Sequence, residues 1–208
     1  MSAQTDGRLA RGELRKTLLL DAAVQVVAEH GSGALTHRAV AAEASVSLAS
    51  VTYHFPTIGD LREAMFNHAG TRIGLAFRHV IEAAGDRPND VPEVAGRWMA
   101  ELVTERRVDT IGVLEMIIAA GHEPRLRPLV RFFNDRLAEL LRPYIGSQSR
   151  ALIVAAAIQG LILGYISRVD IEDPRGLSDA VADLIYRFSK TQDPAGDSAG
   201  QNSTYSEG

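Results

Sequence analysis

Apolar residues recur along this chain with helical spacing almost throughout, and no stretch shows the period-two alternation of a half-buried strand. From about Arg11 to His30, Leu14, Leu18, Ala22 and Val26 repeat every four residues, and Val27 widens the stripe. Gly31 ends this helix where a left-handed residue is least costly. Ser32-Gly33 makes the turn. Two short helical stretches follow between Leu35 and Pro56. Thr57-Ile58-Gly59-Asp60 has the form of a capping box with Asp in place of Glu. It opens a long helix to about Ala84, with Leu61, Met65, Ile73, Phe77, Val80 and Ile81 predicted on its buried side.

Gly85–Pro92 reads as a loop. The next helix runs to about Arg107, with Val91, Ala95, Trp98 and Leu102 on one face, and another covers Thr110–Ala120. Gly121–Pro124 breaks the chain. Arg125–Tyr144 carries the stripe Leu126, Leu129, Val130, Phe133, Leu137, Leu140 and Leu141. An apolar helix fills Ser147–Arg168. After the loop Asp170–Gly176, a last helix to about Lys190 places Leu177, Val181, Leu184, Ile185 and Phe188 on one stripe. From Thr191 the chain is rich in Gly, Ser, Asp and Asn, and a disordered tail is expected over 191–208. The pattern predicts an all-α protein of about nine helices in two tiers, three N-terminal ones and then a larger bundle.

Composition narrows the function classes. Of 208 residues, 46% are hydrophobic and 23% charged, an ordinary globular balance. The chain has no cysteine, which removes disulfides and thiolate zinc sites. The N-terminus has no apolar stretch suited to a signal peptide. The longest apolar run, Ala151–Ile166, is interrupted by Gln159 and flanked by Arg150 and Arg168. It falls short of the ~20 residues that span a bilayer, so it reads as a buried helix. A cytoplasmic protein with no membrane partner is expected. Net charge is −4, yet residues 7–16 set Arg8, Arg11, Arg15 and Lys16 against the single acid Glu13. Such an arm suits a confined anionic contact, or else it is a solvated, frayed terminus.

The two short helices carry the sharpest signal. Isolated helices need ~12–15 residues to be even marginal in water, so each stub must be held by its neighbours. Val40, Ala41 and Ala44 share a face of the first, Val51 and Phe55 are i, i+4 on the second, and Val46 can plug the angle between them. This is the construction of a helix-turn-helix. It leaves Ser47, Leu48, Ala49, Ser50, Thr52, Tyr53 and His54 on or beside the outward face. Small side chains let such a helix sink into a major groove, hydroxyls bond base edges or phosphates, and methyl groups meet thymine. A helical hairpin with a polar outside is the plainer reading.

The stretch resembles the DNA-binding domain of the TetR family of transcriptional regulators. The matching residues are Leu35-Thr36-His37-Arg38-Ala39-Val40-Ala41, Ala44-Ser45-Val46-Ser47, Ala49-Ser50-Val51-Thr52-Tyr53-His54-Phe55 and Thr57-Ile58-Gly59-Asp60-Leu61. The resemblance covers about residues 11–65. It implies that Thr36 and Ser47 bond phosphates, that Arg38 reaches a phosphate or a guanine edge, and that Ser50 and Thr52 face bases. Tyr53 and His54 would grip the backbone, Leu48 and Ala49 would share the DNA-facing surface, and Arg8, Arg11 and Arg15 would add backbone or minor-groove attraction. Four positions depart from the family pattern: Ser45 stands for the turn glycine, Ala49 for a second glycine, Thr52 for a tyrosine and Ile58 for a lysine.

The remaining helices suit pairing and sensing. Ala156, Gly160 and Gly164 are small residues at i, i+4, i+8, which permits close helix crossing. Leu152, Leu163 and Ile166 run beside them. This helix is either the protomer's central core or half of an interface. The resemblance implies the latter, a four-helix homodimer contact completed by Val181, Leu184 and Phe188. Trp98, Leu102, Ile111, Leu114, Ile118, Phe132, Phe133 and Leu163 are candidate walls of an apolar effector pocket. Glu115, His122, Asn134 and Gln159 are its candidate polar groups, and Gln159 is foremost because it interrupts the most apolar run. The expected partners are double-stranded DNA with a palindromic operator, a small-molecule effector and a second copy of the chain. No cofactor and no catalysis are expected: there is no HExxH, no Gly-rich phosphate loop and no nucleophile elbow. A metal sensor would need clustered ligands, and six scattered histidines offer little. The expected domains are a basic arm and helix-turn-helix over 1–56 and a ligand-binding and dimerisation domain over 57–190.

Overall fold

The computed structural model describes residues 2–84, 90–167 and 173–189, and the side chains among them from Ala10 onward except at 81, 83 and 84. The expectations for the Arg8 and Ile81 side chains, for Arg168 and for the tail 191–208 lie outside the described residues. Nine α-helices make up the described fold: α1 Ser2–His30, α2 His37–Glu43, α3 Leu48–His54, α4 Ile58–Ala84, α5 Val91–Val103, α6 Arg107–Ala119, α7 Arg127–Ile145, α8 Gln148–Ile166 and α9 Arg175–Phe188.

The N-terminal tier is built around α1, which packs on α2, α4 and α6. Gly31 stops α1 with φ +80, and a single 3-10 turn, Ser32–Ala34, leads to α2. α1 begins earlier than its apolar stripe suggests, and the stripe is buried at Ala22, Val26 and Val27 but not at its N-terminal end. Leu14 is 71% and Leu18 43% exposed, whereas Leu19, Ala23, Val24 and Val27 are buried. The cause is that α1 is enclosed on several sides along its C-terminal half, while its N-terminal half projects past its neighbours. A four-residue repeat cannot report that change along one helix.

α2 and α3 hold together through Val40, Ala41, Val51 and Phe55, all buried, and through Leu35 and Leu61 beneath them. The connection closes α2 with paired backbone bonds, from Ser45 N–H to Ala42 C=O at 3.1 Å and from Val46 N–H to Ala41 C=O at 2.9 Å. This is a Schellman closure, and it puts Ser45 at φ +53, the only non-glycine with positive φ among the described residues. A β-carbon makes that conformation unfavourable by roughly 1–2 kcal/mol. His37 Nε2 donates to the Phe55 carbonyl at 2.7 Å, tying the start of α2 to the end of α3. The Thr57–Asp60 capping box is fully formed: Asp60 N–H donates to Thr57 Oγ1 and Thr57 N–H donates to the Asp60 carboxylate, both at 3.1 Å.

In the larger tier α5 lies against α9 and α7 against α8, with α4 and α6 between this bundle and α1. Val91, Ala95, Trp98 and Leu102 are all buried, as their spacing predicts. α5 and α9 touch backbone to side-chain position: a Cβ on Gly96 would sit 2.5 Å from the Ser178 carbonyl oxygen. α8 departs from the buried-helix expectation. Ala151, Val154, Ala155, Ile158 and Ile162 are buried, but Leu152, Ile153, Ala156, Gly160, Leu163 and Gly164 are exposed. By length and composition alone it is the one helix among the described residues able to cross a membrane.

Candidate DNA-reading surface and effector cavity

Ser47 caps α3, accepting from Ser50 N–H at 3.2 Å, and Thr36 caps α2, accepting from Ala39 N–H at 3.1 Å. Each hydroxyl keeps its own O–H free to donate outward. Beyond the Ser47 cap, α3 buries Val51 and presents Leu48, Ala49, Thr52 and Tyr53 to solvent, with Ser50 and His54 half-buried. Tyr53 is 82% exposed, an unusual position for an aromatic ring on an isolated protomer. Thr52 Oγ1 donates back to the carbonyls of Leu48 and Ala49 at 3.2 and 3.3 Å, so its oxygen faces any partner as an acceptor. Arg11, Arg15 and Arg38 are exposed, and the only acid between Thr36 and Pro56 is Glu43. The structure thus places every described residue of the expected DNA contact on or at the edge of the helix-turn-helix, apart from Arg11 and Arg15 on the projecting half of α1.

An apolar cavity of about 50 Å³ lies among α4, α5, α6, α7 and α8. Ile73 and Phe77 of α4 and Trp98, Met99 and Leu102 of α5 form one side. Thr110, Val113, Leu114 and Ile117 of α6 form another, and Phe133, Leu137, Ile158, Gln159 and Ile162 complete it. Among the described residues no charged side chain lines it. The Thr110 hydroxyl donates to the Leu102 carbonyl at 2.8 Å, and Gln159 Nε2 donates to Asn134 Oδ1 at 2.8 Å. Trp98 packs against Phe77 with ring centroids 4.7 Å apart and the planes tilted by 38°, and its buried Nε1–H has no partner among the described residues.

Of the expected effector contacts, Trp98, Leu102, Leu114, Phe133 and Gln159 line this cavity, and Ile111, Glu115, Ile118 and Leu163 do not. Ile118 and Leu163 are 56% and 43% exposed. Ile111 is half-buried outside the lining, Phe132 lies on the outer surface, and His122 is exposed. Glu115 points the other way along α6, where its carboxylate accepts from the Ser32 backbone N–H at 3.0 Å. α6 is apolar on several faces because it is wedged between α1, α4 and the cavity, so spacing alone does not say which face meets the cavity. Ile73 and Phe77 were recoverable, since both lie on the predicted buried side of α4.

An ionic chain crosses the same junction. Asp21 of α1 accepts from Arg72 at 2.6 Å and from His68 at 2.8 Å, and Arg72 reaches Asp109 of α6 at 3.1 Å. Burial pushes the Asp109 carboxyl up from its ordinary value, opposed chiefly by the Arg72 guanidinium. At the head of α4, Arg62 pairs with Glu123 at 2.6 Å, and Arg125 approaches Asp60 and Glu63 at 3.6 and 3.8 Å. Among the described residues no group of three or more His, Asp or Glu could hold a metal ion.

The exposed face of α8 continues onto α9, where Leu184 and Phe188 are half-buried and Tyr186 is 54% exposed. Val181, expected at a dimer interface, is fully buried in its own chain instead. It follows Leu177 and precedes Ile185 on the α9 stripe that meets the protomer core.

The family model described as bacterial regulatory proteins of the tetR family matches residues 19–65. A tetracyclin repressor-like C-terminal domain matches residues 86–187. A TetR family member from Streptomyces coelicolor A3 is 28% identical over 82% of this chain and 97% of its own, with a TM-score of 0.62. The multidrug binding protein EbrR, in complex with ethidium, is 28% identical over 82% of this chain and 97% of its own, with a TM-score of 0.65. A transcriptional regulator from Rhodococcus sp. Rha1, at 22% identity, 82% and 94% coverage and a TM-score of 0.68, shares the fold. No curated protein matched. With a helix-turn-helix carrying the expected residues, an apolar cavity behind it and both halves matched, the chain belongs to the TetR family of ligand-responsive, DNA-binding transcriptional regulators.

Proposed function

We propose that this protein is a cytoplasmic homodimeric repressor, released from a palindromic operator by a small apolar molecule, and that it acts by binding and not by catalysis. Residues 1–56 supply the reading head and 57–190 the sensing and pairing domain. In this reading Thr36, Ser47, Tyr53 and His54 hold the backbone and Ser50 and Thr52 meet bases, with Arg11, Arg15 and Arg38 adding charge. Two copies seated on half-sites about 34–36 Å apart would read enough sequence for specificity.

The observation that carries the mechanism is the position of α6. One side of it lines the cavity through Val113, Leu114 and Ile117. Its other side touches α1 and the turn before α2: Glu115 bonds Ser32, and a Cβ on Gly112 would lie 3.1 Å from Val24 Cγ1. At about 50 Å³ the cavity is well below the ~150 Å³ that accepts a benzene-sized guest. An effector must therefore push its walls apart, and that displacement moves the reading heads out of register. Going from 99% competent to 1% requires about 10⁴-fold preference for the released form, ~5.5 kcal/mol, so graded release suits one pocket. EbrR's ethidium complex supports a small-molecule effector.

A second copy, more than a lipid, suits the open face of α8. Ala156, Gly160 and Gly164 give it the small-residue stripe of a close helix crossing, and the exposed Asp183 and Arg187 of α9 flank it. Selection of bound fragments from genomic DNA, with and without a metabolite extract, tests the whole reading. The expected product is an inverted repeat whose recovery falls when extract is added. Recovery of no shared sequence would overturn it.

A further inference from the structure

Phe133 borders two spaces. It lines the inner cavity, and it also floors a groove of about 170 Å³ on the outer surface between α4 and α7. The groove exists because Gly70 and Gly74 fall on successive turns of α4. A Cβ at Gly70 would meet the Phe133 ring at 3.3 Å, and at Gly74 nothing lies within 4 Å. Its apolar rim includes Leu75 and Phe132, which are 46% and 64% exposed. Among the described residues, Arg78 and Arg136 are its only charged lining residues. Arg136 pairs with Glu139 at 2.7 Å, and Arg78 has no ion-pair partner among the described residues.

We propose that this groove is the entrance and head-group subsite of the effector cavity, and that the effector is an amphiphilic carboxylate. This rests on the effector reading above and adds to it a ligand class and a gate. Turning the Phe133 ring aside joins groove to cavity. An aliphatic or aromatic body then passes between α4 and α7 toward Trp98, where burial of apolar surface drives binding. The carboxylate stays outside, because the cavity lining offers it no cation and an unpaired buried charge is strongly disfavoured. Arg78 and Arg136 hold it at the rim in charge-assisted bonds. A cationic amphiphile meets two like charges at the rim, where the neighbouring acid, Glu139, is already paired with Arg136.

Trp98 is the only tryptophan of the chain, so its emission reports the cavity in the full-length protein. The probes are dodecanoate, dodecanol and dodecyltrimethylammonium, each below its micellar concentration. Dodecanoate is expected to change Trp98 emission saturably and to bind at least about tenfold more tightly than the ammonium compound, the effect of ~1.4 kcal/mol. Arg78→Gln with Arg136→Gln should weaken dodecanoate about fivefold to tenfold and leave dodecanol within about twofold, since rim charges contribute modestly. Gly74→Leu, which fills open space and leaves the core untouched, should block dodecanoate while thermal unfolding stays unchanged. Equal affinity for dodecanoate and the ammonium compound, or full dodecanoate binding in Gly74→Leu, overturns the proposal while the effector cavity stands. If none of the three probes moves Trp98 but operator binding persists, the effector reading falls, and this proposal with it.

Discussion

The carboxylate of Glu115, in the middle of α6, accepts a hydrogen bond from the backbone N–H of Ser32, in the turn that delivers the chain to the helix-turn-helix. The two residues are separated by the whole of α2 to α5, and their contact joins the sensing tier to the reading tier. Glu115→Ala leaves a half-buried N–H unpaired and should reduce stability by about 1–3 kcal/mol. Since Glu115 is outside the cavity lining, effector affinity should stay within about twofold, while the effector-induced loss of operator affinity shrinks. Calorimetry with effector, set beside operator titrations with and without it, separates these. A large loss of effector affinity would return Glu115 to the pocket.

The Thr57–Asp60 box should show itself in pH dependence. The Asp60 carboxyl is held below its ordinary 3.8, chiefly by hydrogen bonds from Thr57, against an opposing desolvation and with help from Arg125. A depressed folded value means that the carboxylate stabilises the fold above the unfolded value and that this contribution fades as pH falls through the folded one. Asp60→Asn should therefore be less stable than the parent near neutrality, and the gap should close below 3.8. Urea unfolding across that range measures it, and a constant gap would refute the assignment.

Ser45 holds a left-handed turn that a glycine would adopt without its β-carbon in the way. Relief of roughly 1–2 kcal/mol is partly offset by the ~0.5–1 kcal/mol that glycine's freedom costs on folding. Ser45→Gly should thus gain about 0.5 kcal/mol and raise Tm by ~1–2 °C for a chain of this size. A fall in Tm on differential scanning calorimetry would mean that the Ser45 side chain earns its place in the turn.

Among the described residues, no atom beyond its own helix lies within 4 Å of where a Gly160 side chain would start. Gly160→Arg should consequently keep its helicity and melt like the parent, while light scattering finds half the parent's mass. Operator affinity should fall about 10²-fold or more as two linked half-site contacts become independent. A variant that remains dimeric would move the interface off this face of α8.

Much of this was legible in the sequence, for physical reasons that also mark where legibility ends. The Thr57–Asp60 box, the stop at Gly31, the buried face of α5 and most of the described faces of α4 and α9 follow from local chemistry, and each is present. The left-handed turn at Ser45 was readable as the place of a missing glycine. Residues whose neighbours come from distant sequence were not. Leu14 and Leu18 repeat like core residues yet sit past the end of the packing. Val181 carries the same signal for a core and for an interface, and only the position of α5 decides. No spacing or pattern announces that His37 fastens α2 to the Phe55 carbonyl.

The near-touch between Gly112 and Val24 has one more implication. Where a missing side chain lets two helices meet this closely, there is no soft layer left to compress, since protein interiors pack about as densely as organic crystals. A push on the cavity side of α6 cannot be absorbed there and must travel onward as rigid motion of α1. Even a guest that swells the pocket by a few ångströms would be felt at the far end of the lever.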